Sequence, residues 1–170
     1  VNGGIVAAVA VEAAAQALEA AGGQRGATPL RAATFGYVNG TVAGDIEVEI
    51  DVVRQGRGLV TSHARVTQDG RTTVVGRMHH AATRDGVAFD HGPSRPPRPD
   101  GTVPLRSDGA AHFGRVDTWL HPDTQLFAGA ERAAWTAWSR PLHGSEFDTT
   151  WLTMFGEDRK STRLNSSHRT

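Results

Sequence analysis

The sequence contains no cysteine, and its only lysine lies at position 160. Disulfide bonds and thiolate nucleophiles are therefore excluded, which fits a reducing compartment. No signal peptide is recognisable, and the longest apolar stretch is too short and too rich in alanine to be expected to span a bilayer. We therefore expect a cytoplasmic protein without a membrane partner. Because the chain begins at Val1 rather than at methionine, we expect the natural N-terminus to lie upstream.

The last thirteen residues differ in composition from the rest of the chain. They contain the single lysine, whereas arginine, alanine and glycine dominate before them. Residues 158–168, written as codons, are similar to a common ligation adapter, so we treat residues 158–170 as non-biological. The remaining residues include fourteen basic and seventeen acidic side chains, a formal net charge of −3. This charge predicts no nucleic-acid partner.

Residues 5–21 form the longest apolar stretch and predict a helix. Three polar residues interrupt it at i, i+4 and i+7, which is one narrow stripe of a helix: Glu12, Gln16 and Glu19. The rest of the cylinder is apolar, as in a helix that is buried over most of its circumference. We expect Asn2 to cap the first turn and Gly22-Gly23 to end the helix. Gly3 and Gly4 would let another backbone approach closely.

Four segments after this helix show strand patterns. Residues 45–52 give the clearest one, because isoleucine and valine at even positions alternate with glutamate and aspartate at odd positions. The other predicted strands and turns are residues 30–38, 60–67 and 72–82, a turn at 54–57, and a tight hairpin at Gln68-Asp69-Gly70. The short connections predict that neighbouring strands pair in chain order. The apolar face of the sheet is expected to pack against the helix, which is an α+β arrangement.

A Pro-rich stretch at residues 92–99 is typical of an extended linker and marks a domain boundary. The predicted domain organisation is a first domain over residues 1–83, a linker over 84–110 and a second domain over 111–157. In the second domain we expect strands at 111–120 and 131–140. A helix should follow, capped by Ser145 with Asp148 three residues later.

The common catalytic and ligand-binding motifs are missing from the sequence. It lacks a Gly-x-Ser-x-Gly elbow, a phosphate-binding loop and the spacing of zinc ligands. His79, His80 and His91 can be interpreted as a metal cluster, but adjacent strand residues point to opposite faces, so the first two cannot easily chelate one ion. We expect polar residues at a strand end, and we predict neither a metal nor a cofactor.

Two other groups of residues can be interpreted as catalytic. Asp117 and His121 suggest an acid–base pair, although a strand that runs into a Pro-containing turn favours a structural role. Asn2-Gly3-Gly4 has backbone donors at a helix N-terminus that can polarise a carbonyl group. The same three residues can simply cap the helix and allow close packing, and the sequence leaves both interpretations open.

The order of these features resembles the first half of acyl-CoA thioesterase II-like proteins, over residues 1–156. The features that carry the resemblance are Asn2-Gly3-Gly4 with its helix, the Phe35 strand, the acidic strand, the Gln68-Asp69-Gly70 hairpin and the Pro-rich linker. The resemblance implies a double hotdog fold, in which each half wraps a long helix in an antiparallel sheet. The first domain would be a hotdog without its N-terminal strand. The second would be the start of another, with its first strand ending at residues 138–141 and its central helix at 147–156.

The resemblance also implies the position of a catalytic carboxylate. In the family, the segment similar to residues 151–156 leads directly into an aspartate, and this chain has Glu157 there. Because the adapter would supply the third base of codon 157, we hypothesise that the natural gene encodes aspartate. The implied carboxylate positions and deprotonates water, helped by a hydroxyl and a glutamine residue expected further along the gene. Backbone amides at a helix terminus stabilise the oxyanion, and Asn2, Gly3 and Gly4 are the candidates for this role.

The resemblance therefore implies that acyl-CoA is the partner and is hydrolysed to free acid and CoA. Glu157 reaches one methylene further than aspartate, so we expect this chain itself to be inactive. One alternative is a hotdog hydratase for enoyl or hydroxyacyl thioesters, although neither predicted helix contains the histidine that this chemistry requires. Another is a non-catalytic acyl-thioester binding module. Any homo-oligomer is expected to form through the hotdog sheets.

Overall fold

The computed structural model describes residues 2–22, 28–86, 104, 116–122, 124, 136–142 and 148–158. Within these residues the elements are α1 (Gly3–Ala20), β1 (Leu30–Tyr37), β2 (Glu47–Gln55), β3 (Val60–Gln68), β4 (Arg71–His80), β5 (Val116–Leu120), β6 (Ala137–Pro141) and α2 (Thr149–Asp158). These elements fall into two compact units. The first contains α1, β1 to β4 and α2, and the second contains β5 and β6.

The helix α1 lies close to the predicted range of residues 5–21, and the predicted residue Asn2 caps its N-terminus. Asn2 Oδ1 accepts a hydrogen bond from the Gly4 backbone nitrogen at 2.7 Å, which is the side-chain arrangement of an N-cap. At the other end Gly22 adopts a left-handed φ of 89°, and its N–H donates to the Glu19 carbonyl oxygen at 3.0 Å. The helix therefore begins and ends where its own sequence supplies partners for the terminal backbone groups.

The first unit contains a four-stranded antiparallel sheet in the order β1-β4-β3-β2. Strands β2, β3 and β4 pair in chain order, and Asp69 and Gly70 have the positive φ angles, 50° and 73°, that a two-residue type I′ hairpin requires. The predicted pairing of β1 with β2 is wrong, because β1 pairs with β4 and places Phe35 opposite Gly76. Residues 38–46, which connect β1 to β2, are too many for a tight hairpin, so the chain can cross to the far edge of the sheet.

The strand β2 also continues beyond its predicted end. Arg54 and Gln55, which were expected in a turn, pair with the first residues of β3. A register irregularity between Asp51 and Arg54 accommodates these additional strand residues without ending the ladder. The turn comes later and is closed by a hydrogen bond from the Gly56 nitrogen to the Leu59 carbonyl oxygen at 3.0 Å.

The core of the first unit lies between α1 and one face of the sheet. The residues that form it are Val6, Ala10, Val11, Ala14, Ala64, Val66, Val74 and Met78, none of them more than 4% exposed. Alanines on the buried face of α1 let the helix approach the strands closely, so the predicted α+β contact is confirmed. By length and composition α1, with a mean hydropathy of 1.3, also passes the test for a membrane-spanning helix. The buried core helix of a soluble protein passes the same test.

The helix α2 packs against α1 in the same unit. Gly4 comes so close to α2 that a Cβ atom at this position would overlap the Met154 carbonyl oxygen. The N-terminus of α2 is held by Asp148, whose Oδ1 accepts a hydrogen bond from the Trp151 nitrogen at 3.0 Å. The capping residue is therefore Asp148 and not the predicted Ser145, which lies outside the described residues. Aspartate caps a helix as well as serine does, and Asp148 directly precedes the first turn.

The second unit consists of β5 and β6, which pair with Trp119 opposite Trp138. Asp117 is 3% exposed and accepts a hydrogen bond from Arg140 Nη2 at 2.8 Å, and the guanidinium lies 5.2 Å from the centroid of the Trp119 ring. His121 stacks on Trp138 with the ring centroids 5.8 Å apart. These contacts favour the structural interpretation of Asp117 and His121. The domain boundaries stay predictions, since most of the predicted linker lies outside the described residues.

Candidate functional site

A cleft of about 500 Å³ opens between β1, α1 and α2 in the first unit. The apolar side chains of its lining are Ala7, Leu30, Ala32, Ala33, Phe35 and Leu152. Its hydroxyl groups belong to Thr34, Tyr37, Thr149 and Thr153. Arg31 joins the lining where β1 begins. A concave, mostly apolar surface with a few polar groups is the usual form of a small-molecule site.

Tyr37 connects the sheet to the first residue of α1 beside this cleft. Its hydroxyl donates to the Gly3 carbonyl oxygen at 3.1 Å, and a Cβ atom at Gly3 would lie only 2.8 Å from the tyrosine ring. Gly4, the next residue in the first turn of α1, packs against α2. The two glycines are therefore needed for close packing on two sides, which was one of the interpretations of Asn2-Gly3-Gly4.

The other interpretation, an oxyanion site at the start of α1, stays a prediction. The Gly4 N–H donates to Asn2 Oδ1 at 2.7 Å, and the Ile5 N–H donates to the Asn2 carbonyl oxygen at 3.1 Å. Both donors are therefore used by the cap. A substrate oxygen that needed either of them would have to displace Asn2.

Glu157, where the resemblance implies the family aspartate, lies in the last turn of α2. It directly follows Gly156, which lines the cleft. One turn earlier in the same helix, Met154 closely approaches Gly4 of α1. The Asn2-Gly3-Gly4 segment and Glu157 thus lie on one pair of packed helices, α1 with its N-cap and α2. Their catalytic roles stay predictions.

His79 and His80 form the end of β4, as expected. His79 Nδ1 lies 3.1 Å from Thr61 Oγ1, whereas His80 lies opposite Val60 and is only 3% exposed. Neighbouring strand residues project to opposite faces, which explains the different environments of the two rings. Within the described residues no group of three or more potential metal ligands is found, and His91 lies outside them.

The environment of His80 favours its neutral form. Burial lowers the pKa of His80 below its ordinary value of 6.5, a hydrogen bond with the Thr28 backbone opposes this shift, and the neighbouring His79 lowers the pKa further. Two buried side-chain atoms in the described part of the chain have no hydrogen-bond partner, His80 Nε2 and the Oγ of Ser62 on the adjacent strand. Protonation would place an N–H donor and a charge where nothing receives them.

We therefore expect the free energy of unfolding to fall as the pH is lowered through about 6.5. Because the pKa of His80 is lower in the folded state, the unfolded chain binds more protons in this range, and stability rises with pH. The stabilisation that comes from neutral His80 is complete above the pKa of the unfolded state. It is lost as the pH falls from there through the lower pKa of the folded state. Urea unfolding at pH 7.5 and pH 5.5 measures the change.

The matched variants for this measurement are His80→Leu and His63→Asn. His63 is exposed on the other face of the sheet, so His63→Asn is the control for replacing a histidine that is not buried. His80→Leu should flatten the dependence between pH 5.5 and 7.5. An equally steep dependence in His80→Leu would show that other groups cause it.

The helix and sheet of the first unit have the arrangement of the hotdog fold. A conserved hot dog fold protein of unknown function from Alicyclobacillus acidocaldarius is 17% identical, with a TM-score of 0.76, over 92% of this chain and 58% of that protein. The acyl-CoA thioesterase II TesB2 of Mycobacterium marinum is 18% identical, with a TM-score of 0.62, over 96% of this chain and 63% of that protein. These likenesses establish the fold.

A third similar structure is the tesB protein of Mycobacterium avium subsp. paratuberculosis. It is 13% identical, with a TM-score of 0.65, over 92% of this chain and 57% of that protein. The chain therefore spans about three fifths of the length of these three structures. A comparison with curated proteins finds no match.

Residues 1–81 match the family model of acyl-CoA thioesterase N-terminal domains. The predicted resemblance to acyl-CoA thioesterase II-like hotdog proteins is confirmed by this match and by the fold. The match covers α1 and all four strands of the first sheet.

Proposed function

We propose that the natural protein, with aspartate at position 157, catalyses the hydrolysis of fatty acyl-CoA to the free acid and CoA, and that the chain with Glu157 is inactive. The match of residues 1–81 to the acyl-CoA thioesterase N-terminal domain is the observation that carries the proposal. The cleft beside α2 supports it, because Leu30, Phe35 and Leu152 form an apolar wall that suits an acyl chain. Position 157 directly follows a residue that lines this cleft.

In the proposed reaction a carboxylate at position 157 takes a proton from water while the water oxygen attacks the thioester carbonyl carbon. The tetrahedral intermediate carries negative charge on the former carbonyl oxygen, which backbone N–H groups stabilise. Its collapse breaks the C–S bond, and the protonated carboxyl group returns the proton to the leaving thiolate. The products are the free acid and CoA. The hydroxyl and glutamine partners that the resemblance implies are not assigned to residues of this chain.

We expect the chain with Glu157 to release little or no thiol from acyl-CoA, and Glu157→Asp to be at least tenfold faster. Glutamate places its carboxylate one methylene further along the side chain, which misplaces the attacking water. General-base catalysis in full contributes about 10²–10⁴-fold, so a correctly placed aspartate should recover part of that range. Release of free thiol from a medium-chain and a long-chain acyl-CoA measures the rate.

Glu157→Gln and Glu49→Asp are the controls for this comparison. The first removes the carboxylate and should stay at the baseline, and the second makes the same shortening on an exposed strand residue and should change nothing. Rapid hydrolysis by the unmodified chain would contradict the expected inactivity. An aspartate variant no faster than the glutamine variant would contradict the role of position 157.

The same experiment separates the alternatives. Binding of a non-hydrolysable acyl-CoA thioether without hydrolysis by either carboxylate variant would favour an acyl-thioester binding module. Hydration of an enoyl-CoA would favour a hydratase, although neither α1 nor α2 contains a histidine.

A further inference from the structure

A second cleft, of about 640 Å³, lies at the end of the sheet where β1 and β3 begin and β2 and β4 end. Among the described residues its lining contains four arginines, Arg31, Arg54, Arg57 and Arg84, and no carboxylate. Within the part of the chain that the structure describes, no ion pair joins any of these arginines to an acidic side chain. The cleft therefore concentrates positive charge that no ion pair among the described residues neutralises.

The tertiary structure assembles this cleft from four separate segments. Arg31 belongs to β1 and Arg54 to the end of β2, Arg57 lies in the turn before β3, and Arg84 follows β4. The continuation of β2 past its register irregularity brings Arg54 to the same end of the sheet as the β2–β3 turn. The sequence predicts a turn only at residues 54–57, and the spacing of the four arginines along the chain carries no pattern.

The contacts of the arginines keep their charges available. Arg31 Nε donates to the Ala81 carbonyl oxygen at 3.1 Å, and its Nη2 donates to Thr83 Oγ1 at 2.8 Å. Both acceptors are uncharged, so they position the guanidinium without neutralising it. These two bonds also fix the segment that carries Arg84 against the start of β1.

One glycine of the turn, Gly58, makes room for the Arg84 guanidinium. A Cβ atom at Gly58 would overlap the Arg84 guanidinium, so this group lies directly against the turn backbone. At Gly56 a Cβ atom would lie 3.9 Å from Arg54 Nε. All four arginines are exposed, and they line one cleft.

We propose that this cleft binds the phosphate groups of CoA, which deepens the proposed thioesterase function and rests on it. A planar guanidinium pairs with phosphate oxygens through two parallel hydrogen bonds, and such charge-assisted bonds are the strong ones. Phosphate groups supply the anions that the arginines lack. Like charges held together without a counter-charge repel one another, so an anion in the cleft relieves this repulsion.

The position of the cleft matches the chemistry of an acyl-CoA. Arg31 lines both the arginine cleft and the apolar cleft between β1, α1 and α2. The two clefts therefore adjoin at the start of β1. Acyl-CoA has a highly charged phosphate end and an apolar acyl end, joined by a neutral and flexible arm. Its two ends correspond to the two clefts.

The test is isothermal titration of CoA into the full chain, compared with two double variants that each remove two positive charges. Arg57→Gln with Arg84→Gln alters the arginine cleft and should weaken CoA binding at least tenfold. Arg65→Gln with Arg77→Gln alters exposed residues on the opposite face of the sheet and should change binding by less than twofold. Pantetheine, which lacks the phosphates, should respond equally to both variants.

Three results would overturn the proposal. The first is no measurable binding of CoA to the unmodified chain, and the second is equal weakening by both double variants. The third is tighter binding of inorganic diphosphate or of a single-stranded oligonucleotide than of CoA, which would indicate a free phosphate or a nucleic acid as the ligand. If the cleft variant does not fold by circular dichroism, the single variants Arg57→Gln and Arg84→Gln replace it, with an expected weakening of about threefold or more each.

This binding measurement is independent of turnover. Retained CoA binding at the arginines without thioester hydrolysis by any variant of position 157 would reject the proposed reaction and leave the phosphate site standing. Hydrolysis that is unaffected by the arginine substitutions, together with unchanged CoA binding, would reject the phosphate site alone.

Discussion

Replacing Met78 with alanine is expected to lower the free energy of unfolding by about 2–5 kcal/mol. Met78 has no exposed surface and is the largest of the fully buried side chains in the described residues. Its neighbours in the core include the small side chains of Ala10, Ala14 and Ala64. These cannot move to fill the space that the substitution leaves, so the loss of contacts adds to the loss of apolar burial. Chemical denaturation measures the effect.

Two further variants show whether the loss comes from the cavity. Met78→Leu nearly conserves volume and is expected to cost less than about 1.5 kcal/mol. Arg77→Ala changes the neighbouring residue, whose side chain is exposed on the other face of β4, and should stay within about 0.5 kcal/mol. A loss below about 1 kcal/mol for Met78→Ala would mean that α1 does not pack on the sheet in solution as it does here.

Replacing Gly4 with alanine is expected to lower the free energy of unfolding by about 1–3 kcal/mol, even though alanine is the better helix former. A Cβ atom at this position would overlap a backbone atom, the Met154 carbonyl oxygen, which cannot rotate away as a side chain can. The two helices must therefore separate. Because α2 carries Gly156 and Glu157, this separation should also alter the cleft.

Gly156→Ala is the matched control, since Gly156 lies in α2 and an added Cβ atom would meet nothing within 4 Å. There the change should stabilise the protein by about 0.5–1 kcal/mol through its helix propensity alone. The two substitutions add the same methyl group and are expected to have effects of opposite sign. Stabilisation by both would show that α1 and α2 are not in contact in solution.

The α1–α2 contact explains why the N-terminal motif has this composition. Asn2 holds the first turn of the helix, Gly3 accommodates the Tyr37 ring, and Gly4 accommodates α2. A larger residue at either glycine would change the spacing of the elements around the cleft. The motif is therefore a packing junction at the site, whether or not its amides also contact substrate.

Much of the first unit could be predicted from local sequence because the causes are local. The cap at Asn2, the left-handed Gly22 and the Asp69-Gly70 hairpin each depend on residues within four positions of one another. The alternation in β2 similarly indicates which side chains face the core. The end of β2 was missed, because a register irregularity depends on the partner strand.

The amino-acid sequence by itself thus determined the helix, the strands, their buried faces and the family resemblance, since periodicity and capping are properties of short segments. Only the tertiary structure decided that β1 pairs with β4, that α2 packs on Gly4 and that arginines from four segments line one cleft. These contacts join residues far apart in the chain. Their formation depends on loop length and on the shape of packed surfaces, and neither leaves a repeating pattern in the sequence.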